Sequence, residues 1–272
     1  MKTSQTHQYQ TSGGVTVTRA SISADYREAT GELLRELDTC PGVLLSSAYE
    51  YPGRYARWDL GCVHPPLRLV ARGRDCEITA LNARGKVLLQ MFRPVLAGSQ
   101  DLASIEELPD ALHLRILPAE PVILEELRTR QRSVFSMLRN LIAHFSSNED
   151  PHLGFFGAFG YELAFQFEAV ALKQARTENH RDLVLYMPDT ILVVDHRREQ
   201  ARMHYYDFEQ VVEGQVYSTR HLPRQTSRHA FSPGQSVESA GDEAPVQCDH
   251  APGEYAATVR KALGYFQRGD LF

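Results

Sequence analysis

The feature that most constrains this chain is a period-two alternation within residues 67–81. Leu67, Leu69 and Ala71 alternate with Arg68, Val70 and Arg72, and Cys76, Ile78 and Ala80 alternate with Glu77, Thr79 and Leu81. Side chains of a strand point to opposite faces in turn, so this spacing predicts antiparallel strands with one face on a core. A meander is expected over residues 57–91, with Asn82-Ala83-Arg84-Gly85 as a turn and 87–91 as the returning strand. Residues 43–48 form a short apolar run bounded by turn residues, which reads as a buried strand. Tyr51-Pro52-Gly53-Arg54 reads as a turn.

Helical spacing occurs in three places. Ser23 is expected to cap a helix carrying Tyr26, Ala29, Leu33, Leu34 and Leu37, ended by Pro41-Gly42. Pro121 is expected to open a long helical stretch whose stripe is Val134, Leu138, Leu141, Ile142 and Phe145, ended by Ser146-Ser147-Asn148. Tyr255, Val259, Leu263 and Phe266 mark a third helix, capped by Gly269. Further strands are expected at 155–159, 183–186, 190–195 and 202–206.

Residues 1–14 read as a flexible tail, polar and without the apolar stretch of a leader peptide, so the expected location is cytoplasmic. Residues 214–251 are rich in Ser, Pro, Gln, Gly and Glu with no apolar period, which reads as a mobile linker. The domains expected are therefore a tail (1–14), a main domain (15–213), a linker (214–251) and the first helix of a further domain (252–272). Asp270-Leu271-Phe272 follows the helix cap directly, so the chain is expected to be cut before the element that would bury that apolar pair. The fold class is α+β: a large mixed or antiparallel sheet with outer helices.

Composition excludes several function classes. The 272 residues carry 29 basic and 34 acidic side chains, a net charge of −5, too mild to suggest nucleic acid or an anionic membrane surface as partner. No apolar run approaches the roughly 18–20 residues of a membrane span. Cys40, Cys62, Cys76 and Cys248 have no C-x-x-C spacing and read as buried or incidental thiols. The eleven histidines show no H-E-x-x-H or i, i+4 pair, so no metal site is expected. Gly154, Gly157 and Gly160 lack dinucleotide-binding spacing and sit among Phe155, Phe156, Phe159 and Tyr161, which suits a packed strand. Asp195-His196 has no evident nucleophile and is not read as part of a triad.

Four segments carry a family resemblance. Val43-Leu44-Leu45-Ser46-Ser47 resembles the L-L-E-S element of anthranilate synthase component I, with Ser46 in place of the glutamate. Gly53-Arg54-Tyr55-Ala56-Arg57-Trp58-Asp59-Leu60-Gly61 is similar to the family's G-R-Y-S-R-Y-S-F-I-G, in the variant of enzymes fused to a glutamine amidotransferase. Gly157-Ala158-Phe159-Gly160-Tyr161-Glu162 resembles the family's G-x-x-G-Y-D/E, followed by Pro188-Asp189 and Val193-Val194-Asp195-His196. Pro252-Gly253-Glu254-Tyr255 to Gly269-Asp270-Leu271-Phe272 resembles the opening of the chorismate-binding domain.

The resemblance implies the conversion of chorismate and glutamine-derived ammonia to anthranilate and pyruvate, with Mg²⁺, in tryptophan biosynthesis. It puts the catalytic and metal-binding residues beyond Phe272, so that these residues alone bind no cofactor and are inactive. C-terminal chorismate-binding and glutaminase domains would be the partners, and a homo-oligomer is compatible with it. It also implies a tryptophan-feedback site involving Leu45, Ser46, Ser47 and Arg57. A zwitterionic amino acid needs an acceptor for its ammonium, a donor for its carboxylate and an apolar slot, and a serine hydroxyl can serve either polar role. Trp58 is expected in the core, and Tyr161 and Glu162 as positions within the fold. Two other readings stay open: a stand-alone small-molecule-binding module, and a related enzyme such as aminodeoxychorismate synthase or a phenazine-pathway anthranilate enzyme.

Overall fold

The computed structural model describes residues 5–46, 57–119, 131–167, 177, 180–225 and 249–271. It divides into two units, Met1–Ser227 and Arg228–Phe272. The first unit begins with β1 (Gln5–Gln10), β2 (Thr16–Ala24), α1 (Ala29–Leu37), β3 (Gly42–Leu45), β4 (Trp58–Val63), β5 (Leu67–Arg72) and β6 (Asp75–Ala80). It continues through α2 (Ala83–Ala97), β7 (Leu102–Glu107), β8 (Ala111–Ile116), α3 (Val134–Phe145) and β9 (Phe156–Phe159). A 3-10 helix, Tyr161–Gln166, precedes β10 (Leu183–Met187), β11 (Thr190–Asp195), β12 (Gln200–Val212) and β13 (Gln215–Ser218). The second unit is described from 249 and holds α4 (Glu254–Arg268), closed by the left-handed Gly269.

The strands form two sheets rather than one. A seven-stranded sheet runs β1-β2-β12-β11-β4-β3, with β13 paired to β12, and a six-stranded sheet runs β7-β8-β6-β5-β10-β9. Every pair is antiparallel. The chain crosses between the sheets at two corners, from β4 to β5 and from β10 to β11.

Alternation explains which faces meet. Leu67, Leu69 and Ala71 of β5, Ile78 of β6, Leu112 and Leu114 of β8, and Leu183 and Leu185 of β10 share one core with Ile191 and Val193 of β11. Leu192 and Val194, the alternate residues of β11, face the other way and pack with Ala29 and Leu33 of α1. Thus, among the described helices of the first unit, α1 covers an outer face, while α2 and α3 join the common core. Helix α2 touches β6 and β7 of one sheet and β12 and β13 of the other. Its Leu88, Met91 and Phe92 are wholly buried, each contributing on the order of 1.5–3 kcal/mol.

Several expectations change. Residues 87–91 are helical, because Val-Leu-Leu-Gln-Met lies in a helix buried on several sides, where no polar stripe marks the period. Asn82, expected in a turn, is the helix cap, its side chain accepting from the Gly85 N–H at 3.0 Å. Ser23 lies in β2, and Asp25 turns the chain into α1 through Arg27 N–H to its carboxylate at 2.8 Å. The supposed tail contains β1, in register with β2 from Gln5↔Ser21 to Gln10↔Thr16. The supposed linker begins with β13, and Thr219 after it is fully buried; residues 226–248 lie outside the described residues. Pro121 also lies outside them, and α3 starts at Val134 behind a Ser133–Ser136 capping box. No described helix is long and apolar enough to cross a membrane.

Two buried polar networks hold the common core in place. Arg84, wholly buried at the start of α2, donates to the Asp189 carboxylate at the β10–β11 corner. It also reaches Asp207 Oδ1 (2.9 Å), Tyr206 O (2.7 Å), Thr219 O (2.7 Å) and Leu222 O (3.0 Å). The second network centres on Asp150, fully buried, which takes Arg19 at 2.9 Å, the Tyr9 hydroxyl at 3.1 Å and the Tyr206 hydroxyl at 3.5 Å. His204 stacks on His152 at 5.4 Å beside it and pairs its Nδ1 with the Ser21 hydroxyl at 2.8 Å. Burial, then the charges of His152 and Arg19, push the His204 imidazole down to about 4.

Each network predicts a stability effect. Arg84→Ala takes this donor from the Asp189 carboxylate and from the Thr219 and Leu222 carbonyls, while Arg224 still serves Asp207 Oδ1 and Tyr206 O; urea unfolding should show a loss of about 3–5 kcal/mol. Arg84→Lys, which keeps charge but not the fork, should fall between; a loss below about 1 kcal/mol for Arg84→Ala would remove the network from the account. For His204, the unfolded chain takes up a proton below about 6.5 and the native one only near 4, so stability is full above the first value and falls toward the second. Between pH 8 and 4 that loss is about 3 kcal/mol. It should be missing from the pH profile of His204→Phe.

Candidate functional site

The residues singled out in the sequence converge at one end of the seven-stranded sheet. Edge strand β3 pairs with β4 from Gly42↔Val63 to Leu45↔Leu60, so Leu45, Ser46 and Arg57 emerge at the same end. Close packing there depends on glycine. A methyl group at Gly61 would collide with the Leu33 side chain of α1, and one at Gly42 with the Cys62 carbonyl oxygen. Ser47 lies outside the described residues, as do 48–56. Ser46 is exposed and Leu45 is 45% exposed.

Arg57 is already engaged. It donates to Asp195 Oδ2 at 3.3 Å, and its guanidinium lies over the Trp58 ring at 4.5 Å. Its carbonyl accepts the His196 N–H at 2.9 Å. Burial pushes the Asp195 carboxyl up, but Arg57 and the N–H groups of Arg197 and Arg198 outweigh it and hold the carboxyl below its ordinary value. The Arg57 side chain is nonetheless 42% exposed, although its Nε is buried without a hydrogen-bond partner. The exposed part of a guanidinium can receive a carboxylate. Trp58, expected in the core, is 41% exposed, with its ring edge toward His152 at 6.4 Å. Indole and Leu45 together leave apolar surface at the same end of the sheet.

Sequence reasoning missed the layer beneath. Asp59 is buried against α1, its Oδ2 accepting from the Thr30 hydroxyl at 3.2 Å and lying 3.0 Å from His196 Nε2. His196 Nδ1 is 3.2 Å from the Tyr26 hydroxyl. Asp59 Oδ1 is buried without a hydrogen-bond partner. No motif links Tyr26, Thr30, Asp59 and His196; only the packing of α1 on β4 and β11 does. Among the described residues the hydroxyls meeting the Asp59–His196 pair are the Tyr26 phenol and the Thr30 hydroxyl.

A second convergence lies where β9 ends and β10 begins. His180 Nε2 is 3.4 Å from Glu162 Oε2 and 3.8 Å from Asp182 Oδ1. The Glu162 backbone N–H, opposed by burial and aided by the His180 ring, holds the Glu162 carboxyl below its usual range. Among the described residues this is the one group of three side chains with metal-ligand spacing. Its imidazole does not suit magnesium, which takes near-octahedral oxygen. Tyr161 next to it is 83% exposed and Phe159 56%. Of the thiols, Cys62 and Cys76 are buried, which pushes both up to about 12 and leaves them inert; Cys248 lies outside the described residues.

Comparison with known proteins agrees with the motifs. The family model for chorismate binding enzyme matches residues 105–272, beginning inside β7 rather than at Pro252. The anthranilate synthase of Azospirillum brasilense is 42% identical over 264 residues, covering 97% of this chain and 34% of that protein. Anthranilate synthase component 1 of Salmonella typhimurium is 27% identical over 263 residues, 93% of this chain and 48% of that protein. The pyocyanine-specific component 1 of Pseudomonas aeruginosa is 22% identical over 230 residues, 84% and 43% respectively. The chain thus spans about a third to a half of the length of these relatives.

The geometry separates two roles at the β3–β4 end. Asp59→Ala should cost about 1–3 kcal/mol in urea unfolding, since Thr30 and His196 lose a buried acceptor. Arg57→Ala should cost less than about 1 kcal/mol, since the Arg57 side chain is 42% exposed and the buried Asp195 keeps the Arg197 and Arg198 N–H groups. The reverse order would show that Arg57, not Asp59, carries the local packing.

Proposed function

The chain belongs to the chorismate-binding enzyme family, and on that premise we propose that it is the N-terminal part of an anthranilate synthase. The full protein then converts chorismate and ammonia from glutamine to anthranilate and pyruvate, the first step of tryptophan synthesis. What carries the proposal is the 42% identity to the Azospirillum anthranilate synthase across 97% of this chain. This chain is 34% of that relative, which leaves room for the further chorismate-binding part and for a fused glutaminase. The chemistry, including Mg²⁺ as Lewis acid, belongs in this reading to that remaining part. Among the described residues, the one group of three side chains with metal-ligand spacing includes an imidazole, which magnesium does not favour.

In the same reading these residues supply scaffold and one wall of a tryptophan-feedback site. Arg57, its side chain 42% exposed, would receive the effector carboxylate. Leu45 and Trp58 would flank the indole. Ser47 would meet the ammonium or carboxylate, as the resemblance to L-L-E-S implies; Ser46, with no charge, would reach the ammonium through its backbone oxygen or a water. Tryptophan then acts by preferring one arrangement of the enzyme over another. The enzyme is expected in the cytoplasm.

The test uses the complete protein that carries this chain. Anthranilate fluorescence should appear from chorismate and glutamine with Mg²⁺, and its absence would reject the proposal. Ser47→Ala removes one hydrogen bond to a charged ligand, about 1.5–3 kcal/mol, and should raise the tryptophan needed for half-inhibition roughly ten- to hundredfold. Ser47→Phe should raise it further. Unchanged inhibition in both would take Ser47 out of the effector site, and a parallel collapse of turnover would assign it to folding.

A further inference from the structure

We propose that Glu162, His180 and Asp182 form a zinc site at the junction of β9 and β10. The three candidate ligand atoms lie within 4.8 Å of one another, and His180 Nε2 stands 3.4 Å and 3.8 Å from the two carboxylate oxygens. Bonds of about 2.0–2.1 Å to a tetrahedral zinc put neighbouring ligand atoms about 3.3 Å apart, so a small contraction closes the set. One imidazole with two carboxylates is a donor set that zinc accepts and that magnesium and calcium do not favour.

The backbone has arranged these side chains in advance. Register Leu183↔Phe159 brings the start of β10 beside the end of β9, and the Gly160 N–H closes the junction on Asp182 O at 2.6 Å. Asp182 is 1% exposed, and the Gly73 N–H fixes its Oδ2 at 2.6 Å, which turns Oδ1 toward His180. Such a fixed carboxylate is what outer hydrogen bonds provide at metal sites. A side chain at Gly160 would press first on the Asp182 carbonyl oxygen at 3.0 Å and then on Glu162 Oε2 at 3.2 Å. His180 Nε2 is buried and makes no well-aligned hydrogen bond, its nearest carboxylate oxygens standing at ion-pair distances of 3.4 Å and 3.8 Å. A metal ion between the three would give each a direct bond. An open groove of about 490 Å³, lined by Gly160, Thr177, His180 and Asp182, provides an entry path and a fourth position for water or an anionic group. Bound zinc would tie the glycine-rich end of β9 to β10, across the junction that the 3-10 helix leaves.

The probe is zinc chloride added to the purified protein, read by titration calorimetry and by thermal unfolding. Wild type should bind one zinc at this site and unfold at higher temperature in its presence. His180→Ala should lower affinity at least a hundredfold and Glu162→Gln at least tenfold, with circular dichroism showing both folded. His113→Ala, a histidine near Glu77 and Glu106 on the outer face of the six-stranded sheet, should leave the isotherm as in wild type. No zinc uptake by wild type, equal uptake by His180→Ala and Glu162→Gln, or equal loss in His113→Ala would each overturn the site.

Discussion

The fold depends on one buried cation. Arg84 enters the core at the first turn of α2 and finds acceptors from the β10–β11 corner, from β12 and from the segment after β13. Guanidinium geometry suits this role, since five donors in a planar fork can serve several acceptors at once. Gly85 beside it has the complementary task. Any side chain there would strike the Pro66 carbonyl at the β4–β5 corner. The start of α2 therefore touches both places where the chain passes from sheet to sheet. Two sheets with separate hydrogen-bond ladders share one apolar core, and the start of α2 is held between their corners.

That dependence explains what was legible in the sequence and what was not. Residues 67–72 and 75–80 alternate cleanly because their outer face meets water, and both form strands. Residues 87–91 misled because helix α2 touches both sheets and carries apolar residues on more than one side. The polar run at 5–10 looked like a tail because β1 is an edge strand whose only buried side chain is Tyr9. Nothing in the sequence joins Arg84 to Asp189, 105 positions later. The same holds for Asp59 with His196, and for Glu162 with His180 and Asp182. Strands are written in local periodicity; polar networks are written in topology, which appears only after the strands have paired.

The candidate effector end was legible for a different reason. Leu45, Ser46, Ser47 and Arg57 fall within segments whose motifs resemble a known family, and antiparallel pairing of β3 with β4 brings the two described flanks together. Its supporting layer was not legible. Asp59, buried beneath Arg57, ties the end of the sheet to α1 through Thr30 and to the end of β11 through His196. A ligand that engages Arg57 would draw on Asp195 and, through the adjacent His196, on Asp59. Packed polar chains of this kind give an effector site a route into the sheet.

The central functional claim is that tryptophan binds at this end of the seven-stranded sheet. Amide hydrogen exchange on the complete protein, with and without saturating tryptophan, tests it most directly. Binding there should slow exchange in peptides covering Leu45–Ser46 and Arg57–Leu60, with the 105–116 strands of the other sheet unchanged. Equal exchange in both conditions at Leu45–Ser46 and Arg57–Leu60, with protection appearing elsewhere, would contradict the account.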